Sequence, residues 1–299
     1  MPMICSRVLV VGLGLIGSSF SKALRDRAAV GEVIGVSRSP STCERAVALG
    51  VIDRAEADLE SALSQLEAGD VVFVATPTLA VPPIIEQCAQ AMERGVIVTD
   101  GASVKGNVAT AAVASLSAKA LPNLVLGHPI AGSEKSGVEA VNPKLYVDHR
   151  VILTPLPETN VQALNVVADL WRACGAVISE MSVQEHDNVL AATSHLPHVL
   201  AFALVDALAQ QKESQDIFKF AAGGFKDFTR IASSDPTMWH DIFIANSEAV
   251  LARMDQLQSQ LSMLRDAIAQ GDSEAILASF KRANEAREYF LTQYKNLGA

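Results

Sequence analysis

The chain has 299 residues, of which 49% are hydrophobic, 19% are charged and 5% are aromatic. This composition supports one large or two ordinary domains with packed cores, and it excludes an intrinsically disordered chain. The formal net charge of −9 argues against a nucleic-acid partner, because an acidic surface repels phosphate backbones.

Strand and helix patterns alternate through the first 180 residues. Buried strands are predicted at residues 7–11, 32–36, 70–75, 96–100, 124–127 and 151–154, with helices at 17–27, 43–49, 84–94 and 104–116. This alternation predicts a parallel, doubly wound α/β sheet of the Rossmann type for residues 1–180. Ligands of such sheets bind beyond the carboxyl ends of the strands, so polar residues that follow a strand are candidate site residues.

From Val183 onward the pattern is helical, and residues 181–299 are predicted to form an all-α domain. Residues 188–211 are long and apolar, and Pro197 predicts a kink or a break within them. Residues 245–269 carry apolar side chains at alternating spacings of four and three: Val250, Met254, Leu257, Leu261, Leu264 and Ile268. This heptad seam serves either packing inside the helical domain or a dimer contact.

The cysteines and the N-terminus indicate the compartment. No pair among Cys5, Cys43, Cys88 and Cys174 has C-x-x-C spacing, so reduced, mostly buried thiols are expected. Residues 1–7 lack the regions of a signal peptide, and no uninterrupted apolar run approaches the roughly 20 residues that span a bilayer. The sequence therefore predicts a cytoplasmic protein with no membrane partner.

A glycine motif lies between the first strand and the first helix. Its six residues read G-x-G-x-x-G: Gly12, Leu13, Gly14, Leu15, Ile16 and Gly17. In this context the motif predicts a dinucleotide site, because the first two glycines allow a tight turn and a close approach of the pyrophosphate. The helix N-terminus offers free N–H groups to that anion. The alternative is an ordinary glycine turn.

The residues after the second and third strands bear on the cofactor. Such folds commonly place an acidic residue about 20 positions after the motif, where it binds the ribose 2′-hydroxyl. Ser37 and Arg38 stand there instead, which favours NADP over NAD, because a guanidinium attracts a 2′-phosphate. Alternatively, Arg38 stacks on the adenine or lies in solvent while NAD binds. Thr76 and Pro77 follow the third strand and are also assigned to the cofactor site.

Two residues after later strands are candidates for chemistry. His128 follows the fifth strand, and an imidazole with an ordinary pKa near ~6.5 can accept a proton at neutral pH. The alternative is a structural histidine that fixes its loop. Ser103 follows the fourth strand, where the alternative role is the N-cap of the next helix.

The helical domain contributes further polar candidates. His195 and His198 are three positions apart, but no carboxylate or cysteine joins them at metal-ligand spacing, so no metal is predicted. Helix packing with one polar group facing the cleft is favoured for them. Arg230 suits bidentate recognition of a carboxylate, with a surface helix cap as the alternative. Trp239 begins the next long helix and is a candidate pocket wall.

The chain resembles the prephenate dehydrogenase family, which includes arogenate and cyclohexadienyl dehydrogenases. The resemblance covers residues 8–290 and rests on GLGLIGSS, TDGASVK, residues 128–141, ATSHLPH and GGFKDFTRIASSDPTMW. The last three together are specific to the family, and residues 128–141 look closest to bacterial cyclohexadienyl dehydrogenases. Departures are small: Gly101-Ala102 and Lys226 replace residues that are more common at these positions.

The resemblance implies oxidative decarboxylation of prephenate, arogenate or both, with hydride transfer to NAD(P), giving 4-hydroxyphenylpyruvate or tyrosine. His128 matches the histidine that takes the proton of the C4 hydroxyl, and Ser103 matches the serine that orients it. The resemblance assigns substrate binding to Ser133 and Glu134, to one of His195 and His198, and to Arg230 and Trp239. It also implies that residues 181–299 bind substrate and form a homodimer.

Two alternative functions belong to other classes. A β-hydroxyacid-type dehydrogenase would be expected to use a lysine on the long helix, and residues 188–211 contain none. A non-catalytic nicotinamide-binding sensor need not keep His128, Ser103 and Arg230 together. Both alternatives are therefore less favoured than the prephenate dehydrogenase function.

Overall fold

A computed structural model describes residues 2–133, 135–212 and 214–296. The chain divides into two compact units, Met1–Asn246 and Ser247–Ala299. The domain boundary at residues 180/181 stays a prediction, although the last strand ends at Glu180 and the next helix begins at Val183.

Among these described residues, eight strands form one sheet in the order β3-β2-β1-β4-β5-β6-β7-β8. Their bounds are β1 Cys5–Val11, β2 Val30–Val36, β3 Arg54–Ala55, β4 Val71–Val74, β5 Ile97–Asp100, β6 Leu124–Pro129, β7 Arg150–Thr154 and β8 Val177–Glu180. The doubly wound α/β class is confirmed. The sequence patterns missed β3 and did not delimit β8.

The prediction of a parallel sheet is wrong at one pair of strands. The first residues of β6 pair in parallel with β5, as Val98 with Leu124, whereas its later residues pair antiparallel with β7, as His128 with Ile152. The described part of residues 130–149 contains a 3₁₀ turn and neither an α-helix nor a strand, and it returns the chain at the same end of β6. A parallel pair would need a crossover, usually a helix, to bring the chain back to the other end.

In the described part of the chain seven α-helices accompany the sheet: α1 Leu15–Asp26, α2 Pro40–Ala48, α3 Leu59–Ser64, α4 Val81–Gln87, α5 Ala89–Glu93, α6 Gly106–Ser115 and α7 Val161–Ala173. Helices α3 and α7 were not predicted. Two apolar clusters cover the two faces of the sheet, so β1 directs Val8 and Val10 into one cluster and Leu9 and Val11 into the other. Burial on both faces explains why the strands are continuous apolar runs instead of alternating patterns.

The remaining helices of the first unit are α8 Val183–Leu190, α9 Leu196–Ala209, α10 Ser214–Lys219, α11 Gly223–Thr229 and α12 Pro236–Ala245. A π-helical turn, Ala191–His195, joins α8 to α9, so the predicted interruption at Pro197 lies one turn earlier. The run Val183–Ala209 is long and apolar enough to cross a membrane by length and composition alone. It also carries the buried polar residues His186, Asp187 and His195, and 22% of its most apolar window is buried within the described structure.

The second unit is a pair of helices, α13 Ser247–Gln270 and α14 Ser273–Asn296, joined at Gly271. Gly271 has a φ of +66°, the conformation that commonly ends a helix. Within the predicted heptad seam Val250 is buried, whereas Leu261 and Ile268 are 53% and 60% exposed. Several large apolar side chains of both helices therefore remain exposed in the single chain.

Candidate active site

The glycine loop after β1 is closely packed on its inner side. The N–H of Gly12 donates to Val36 O at 2.9 Å, and Gly12 has a φ of +102°. A Cβ on Gly12 would lie 2.6 Å from Ala75 O, and a Cβ on Gly17 would lie 2.0 Å from Gly12 O. Because neither contact is sterically possible, both glycines are needed for the turn itself.

The outer side of the loop is open. A Cβ on Gly14 would meet nothing within 4 Å, and α1 begins at the next residue with no acidic side chain in its first turn. The Thr76 hydroxyl is buried and finds no hydrogen-bond partner within the described residues. Free N–H groups, open space and an unpaired hydroxyl fit the phosphates and sugar of a dinucleotide.

The other predicted cofactor residues surround this loop. Leu13 is buried in the core, and Leu15 and Ile16 are half-buried. Ser37 and Arg38 lie directly beyond β2, with Arg38 exposed, and Pro77 is exposed beyond β4. Their contact with a cofactor stays a prediction.

A buried ion pair joins the ends of β5 and β6. Lys105 and Asp100 are both 0% exposed, and Lys105 Nζ donates to Asp100 Oδ1 and, at 2.6 Å, to Gly127 O. The other oxygen of Asp100 accepts Gly127 N at 3.3 Å. Burial lowers the pKa of Lys105, while the Asp100 carboxylate opposes that shift. The pair fixes the loop after β5 to the residue that precedes His128.

His128 is the first member of a buried chain of hydrogen bonds. Its Nδ1 lies 2.9 Å from Nε2 of His186, and Nδ1 of His186 lies 2.7 Å from Oδ1 of Asp187. The Asp187 carboxylate also accepts the backbone N–H groups of Lys105 at 2.9 Å and Gly106 at 2.7 Å. The histidine on β6 is thus connected through α8 to the N-terminus of α6.

The electrostatic environment of these hydrogen-bonded side chains favours neutral imidazoles. Burial, followed by the charges of His186 and Lys105, lowers the pKa of His128 well below its usual value. Burial likewise lowers the pKa of His186. Burial raises the pKa of Asp187, but its hydrogen bonds outweigh that effect, so its pKa is lowered overall. At neutral pH His128 and His186 are therefore uncharged and Asp187 is a carboxylate, so His128 can accept a proton.

Ser103 lies in the loop between β5 and α6 and is half-buried. Within the described residues its hydroxyl makes no hydrogen bond, which leaves it available to a ligand. The alternative role of Ser103 as a helix N-cap is wrong, because α6 begins later, with Lys105 at the N-cap position. Asp187 satisfies the first N–H groups of that helix from a distant part of the chain.

A second histidine site surrounds Trp239. Asn246 Nδ2 donates to Asp187 O at 3.0 Å and lies 3.1 Å from Nδ1 of His195. Because a carbonyl oxygen only accepts, this nitrogen is the amide NH₂, so Nδ1 of His195 holds the lone pair and Nε2 holds the hydrogen. Burial lowers the pKa of His195 to about 4. His195 is therefore a neutral donor, while His198 stacks on Trp239 with centroids 3.5 Å apart.

None of the remaining predicted substrate residues that the structure describes makes a hydrogen bond or ion pair with His128. Arg230 is exposed and close enough to His198 to lower its pKa, after burial as the larger cause. Ser133 is exposed in the loop after β6, and its Oγ accepts Lys135 N at 3.2 Å. Glu134 lies outside the described residues. The indole N–H of Trp239 is buried and unpaired among the described residues, so it is also free to bind a ligand.

Four residues of the site were not identified from the sequence: His186, Asp187, Lys105 and Asn246. Each lies on or beside a helix, where polar residues are ordinarily solvent-facing, and each acquires its role through a contact distant in sequence. The adjacent residues His186 and Asp187 lie in the polar run of residues 184–188, so the sequence carries no local signal that they are buried.

Among the described residues no group of three or more His, Cys, Asp or Glu side chains is placed to hold a metal ion. The described side chains offer a proton acceptor, His128, and neutral donors in His195, the Ser103 hydroxyl and the Trp239 indole. Together with the glycine loop, this arrangement fits proton removal from a hydroxyl beside a bound dinucleotide.

Comparison with known families places both halves of the chain. Residues 20–180 match the nucleotide-binding domain of prephenate dehydrogenase, and residues 182–282 match the prephenate dehydrogenase dimerization domain. The chain is 37% identical over 284 residues to a cyclohexadienyl dehydrogenase of Zymomonas mobilis, covering 94% of each chain.

Solved structures extend the similarity to three dimensions. A prephenate dehydrogenase from A. aeolicus, crystallised with hydroxyphenyl propionate and NAD+, superposes with a TM-score of 0.88 at 36% identity, covering 97% of this chain and 99% of that one. An arogenate dehydrogenase from Synechocystis superposes with a TM-score of 0.79 at 29% identity, covering 95% of this chain and 99% of that one.

Proposed function

Because this chain belongs to the prephenate dehydrogenase family, we propose that it oxidises and decarboxylates prephenate, arogenate or both, with hydride transfer to NAD(P), in tyrosine biosynthesis. The observation that carries the proposal is His128, a neutral, buried imidazole near the carboxyl end of the sheet. The glycine loop and His128 belong to β1 and β6, three strands apart in the sheet. At about 4.8 Å per strand this is roughly 14 Å, which leaves room between a pyrophosphate at the loop and His128 for the nicotinamide half of the dinucleotide and the substrate.

His128 is the proposed proton acceptor. When the carbinol carbon of the substrate loses its hydride, the hydroxyl on that carbon must lose a proton, and the neutral imidazole takes it. The bound nicotinamide supplies the hydride acceptor. The ring carboxylate then leaves as carbon dioxide, the electrons of the broken bond aromatise the ring, and the ketone oxygen becomes a phenolate that takes up a proton to give the phenol. The main task of the protein is to orient the carbinol carbon towards the coenzyme.

The substrate contacts are assigned to groups that stand ready to donate. Ser103 has a hydroxyl that is unpaired among the described residues, and the buried His195 carries its hydrogen on Nε2. Trp239 provides an apolar wall and an unpaired indole N–H. Arg230 is assigned to a substrate carboxylate, in a chain whose net charge of −9 makes local cations necessary for a dianionic acid. Ser133 and Glu134 are assigned to the mouth of the pocket.

The cofactor preference is proposed to be NADP over NAD. The position after β2 holds Ser37 and Arg38 instead of a carboxylate, and Arg38 is exposed and able to pair with a 2′-phosphate. A carboxylate there would repel that group, so its absence removes the main barrier to NADP.

The assembly proposed is a cytoplasmic homodimer formed through the helical domain, residues 181–299. The exposed apolar residues of α13 and α14 support a partner subunit: Leu251, Met254, Leu261, Met263 and Ile268 on α13, and Leu277, Phe280 and Tyr289 on α14. Exposed apolar surface of this extent is typical of a surface that another chain covers.

Steady-state assays test the function, with prephenate and arogenate each paired with NAD+ and NADP+. We expect turnover of at least one acid, with a higher kcat/KM for NADP+. His128→Ala should abolish most turnover while dinucleotide binding, measured by titration, is retained. Turnover that is unchanged in His128→Ala would remove the proposed mechanism, and no turnover of either acid by the wild-type enzyme would remove the function.

A further inference from the structure

We propose that His186 is a positioning residue which, together with Asp187, fixes the tautomer of His128 and leaves Nε2 as the one lone pair of that ring. This inference rests on the proposed function, because it explains how the proposed proton acceptor is prepared. No assignment of His186 or Asp187 follows from the sequence motifs, so both are additions to the site.

Asp187 is held by backbone donors at the start of α6. Its Oδ1 accepts Lys105 N at 2.9 Å, and its Oδ2 accepts Gly106 N at 2.7 Å. A carboxylate held by backbone N–H groups at the start of a helix stays ionised, because those donors stabilise its charged form. It has no hydrogen to give to His186, whose Nδ1 lies 2.7 Å from Oδ1. The hydrogen in that contact must therefore belong to Nδ1 of His186.

The next contact follows from the first. A neutral His186 that carries its hydrogen on Nδ1 has a lone pair on Nε2, which lies 2.9 Å from Nδ1 of His128. Two lone pairs facing each other at this distance would repel, so Nδ1 of His128 carries a hydrogen. The lone pair of His128 is then on Nε2, on the far side of its ring from His186.

The charged groups around the two rings are consistent with neutral imidazoles. Lys105 is buried nearby with its partner Asp100, and it opposes a second positive charge on either ring. When His128 takes up a proton, the imidazolium donates from Nδ1 to a ring that is itself anchored to a carboxylate. That arrangement stabilises the charge as it forms and keeps the ring from rotating.

The first measurement is made on the free enzyme labelled with ¹⁵N-histidine near pH 7.5. Ring nitrogens that carry a hydrogen and ring nitrogens that carry a lone pair resonate in separate ranges, and His128→Gln identifies the signals of that residue. We expect the hydrogen on Nδ1 of His128 and the lone pair on Nε2. The opposite tautomer in the wild-type enzyme would overturn the proposal.

Two substitutions of His186 form a matched pair. Gln places an amide oxygen close to the position of Nε2 and can still accept from His128, whereas Leu has similar bulk and no acceptor. We expect His186→Leu to lower kcat about 100-fold with KM within about threefold, and to give mixed tautomers for His128. His186→Gln should stay within about tenfold of the wild-type kcat. Equal losses in the two variants, or a kcat within threefold for His186→Leu, would overturn the proposal.

A second pair separates positioning from stability. Asp70, at the amino end of β4, is also a buried carboxylate that accepts two backbone N–H groups, those of Arg7 at 3.0 Å and Glu67 at 2.9 Å. Asp187→Ala and Asp70→Ala should lose comparable stability, but only Asp187→Ala should lower kcat by tenfold or more and mix the His128 tautomers. Equal kcat in the two variants would overturn the proposal. Since the ¹⁵N measurement needs no substrate, failure of the proposed function remains distinguishable from failure of this inference.

Discussion

Substitution by alanine is expected to have opposite effects at Gly14 and at Gly17 of the glycine loop. A methyl group on Gly14 meets nothing within 4 Å, whereas a methyl group on Gly17 would lie 2.0 Å from Gly12 O and 3.0 Å from Val10 Cγ1. Gly14→Ala therefore adds a group only where the pyrophosphate is proposed to lie. Gly17→Ala adds one inside the fold itself.

The expected magnitudes follow from these distances. At Gly14, with a φ of −80°, Ala gains about 0.4–1 kcal/mol from a stiffer unfolded chain and loses a similar amount as a poorer N-cap residue, so stability changes by less than about 1 kcal/mol. The dissociation constant of the dinucleotide should rise at least about tenfold, which is about 1.4 kcal/mol. Gly17→Ala should cost about 1–3 kcal/mol of folding free energy, because backbone must move.

Urea unfolding measures the free energy of unfolding, and titration with NAD+ and NADP+ measures the dissociation constant of each dinucleotide. Gly14→Ala should lose cofactor affinity at wild-type stability, and Gly17→Ala should lose stability. If Gly14→Ala binds both dinucleotides within twofold of the wild-type enzyme, the pyrophosphate does not lie at the N-terminus of α1. If Gly14→Ala is as unstable as Gly17→Ala, the space in front of that glycine is not open.

Three further outcomes are expected. Arg230→Ala should raise KM for the acid at least about tenfold with cofactor affinity unchanged. The control Lys226→Ala, which removes a cation of the same segment, should change KM less than threefold. Equal effects of the two substitutions on KM would reject a specific carboxylate contact. Arg38→Ala should shift the kcat/KM ratio towards NAD+ about tenfold, and an unchanged ratio would contradict the 2′-phosphate contact. The free energy of unfolding should fall as pH drops below about 6.5. In this range the histidines of the unfolded chain bind protons, whereas the buried histidines of the folded protein stay neutral because their pKa values are lowered. His195 alone, with a pKa of about 4, accounts for about 3 kcal/mol between those pH values. Urea midpoints that stay constant from pH 8 to 5 would refute this, and His195→Gln should flatten the curve.

The first half of the fold was predictable because its signals are local. The apolar run of β1, the glycine loop and the helix after it are encoded within residues 5–26, and the structure places them there. The direction of β7 was not predictable, because strand patterns do not encode which neighbour a strand meets. Helix α7 follows Pro155 and Pro157, which obscured its start at Val161.

The residues of the site likewise divide into those with a local sequence signal and those whose role depends on distant contacts. His128 was identifiable because it ends a strand, and strand ends have a known place in such sheets. Its partners were not, because His186, which contacts the His128 ring, is 58 residues away in sequence, and Asp187 acts on that ring only through His186. The sequence left two roles open for Ser103, a ligand contact and the N-cap of the following helix. The structure removes the second role, because the distant Asp187 carboxylate accepts the first N–H groups of that helix.

The π-helical turn between α8 and α9 has a consequence for the angular register of the helix. His186 and His195 are nine positions apart, and in a regular α-helix at about 100° per residue they would point about 180° away from each other. The wider repeat of the five-residue turn Ala191–His195 removes roughly a quarter turn from that angle. An extra residue is thus absorbed without sending His195 to the back of the helix. Deleting one residue from the turn should restore regular α-helical winding while leaving the direction of His195 nearly the same.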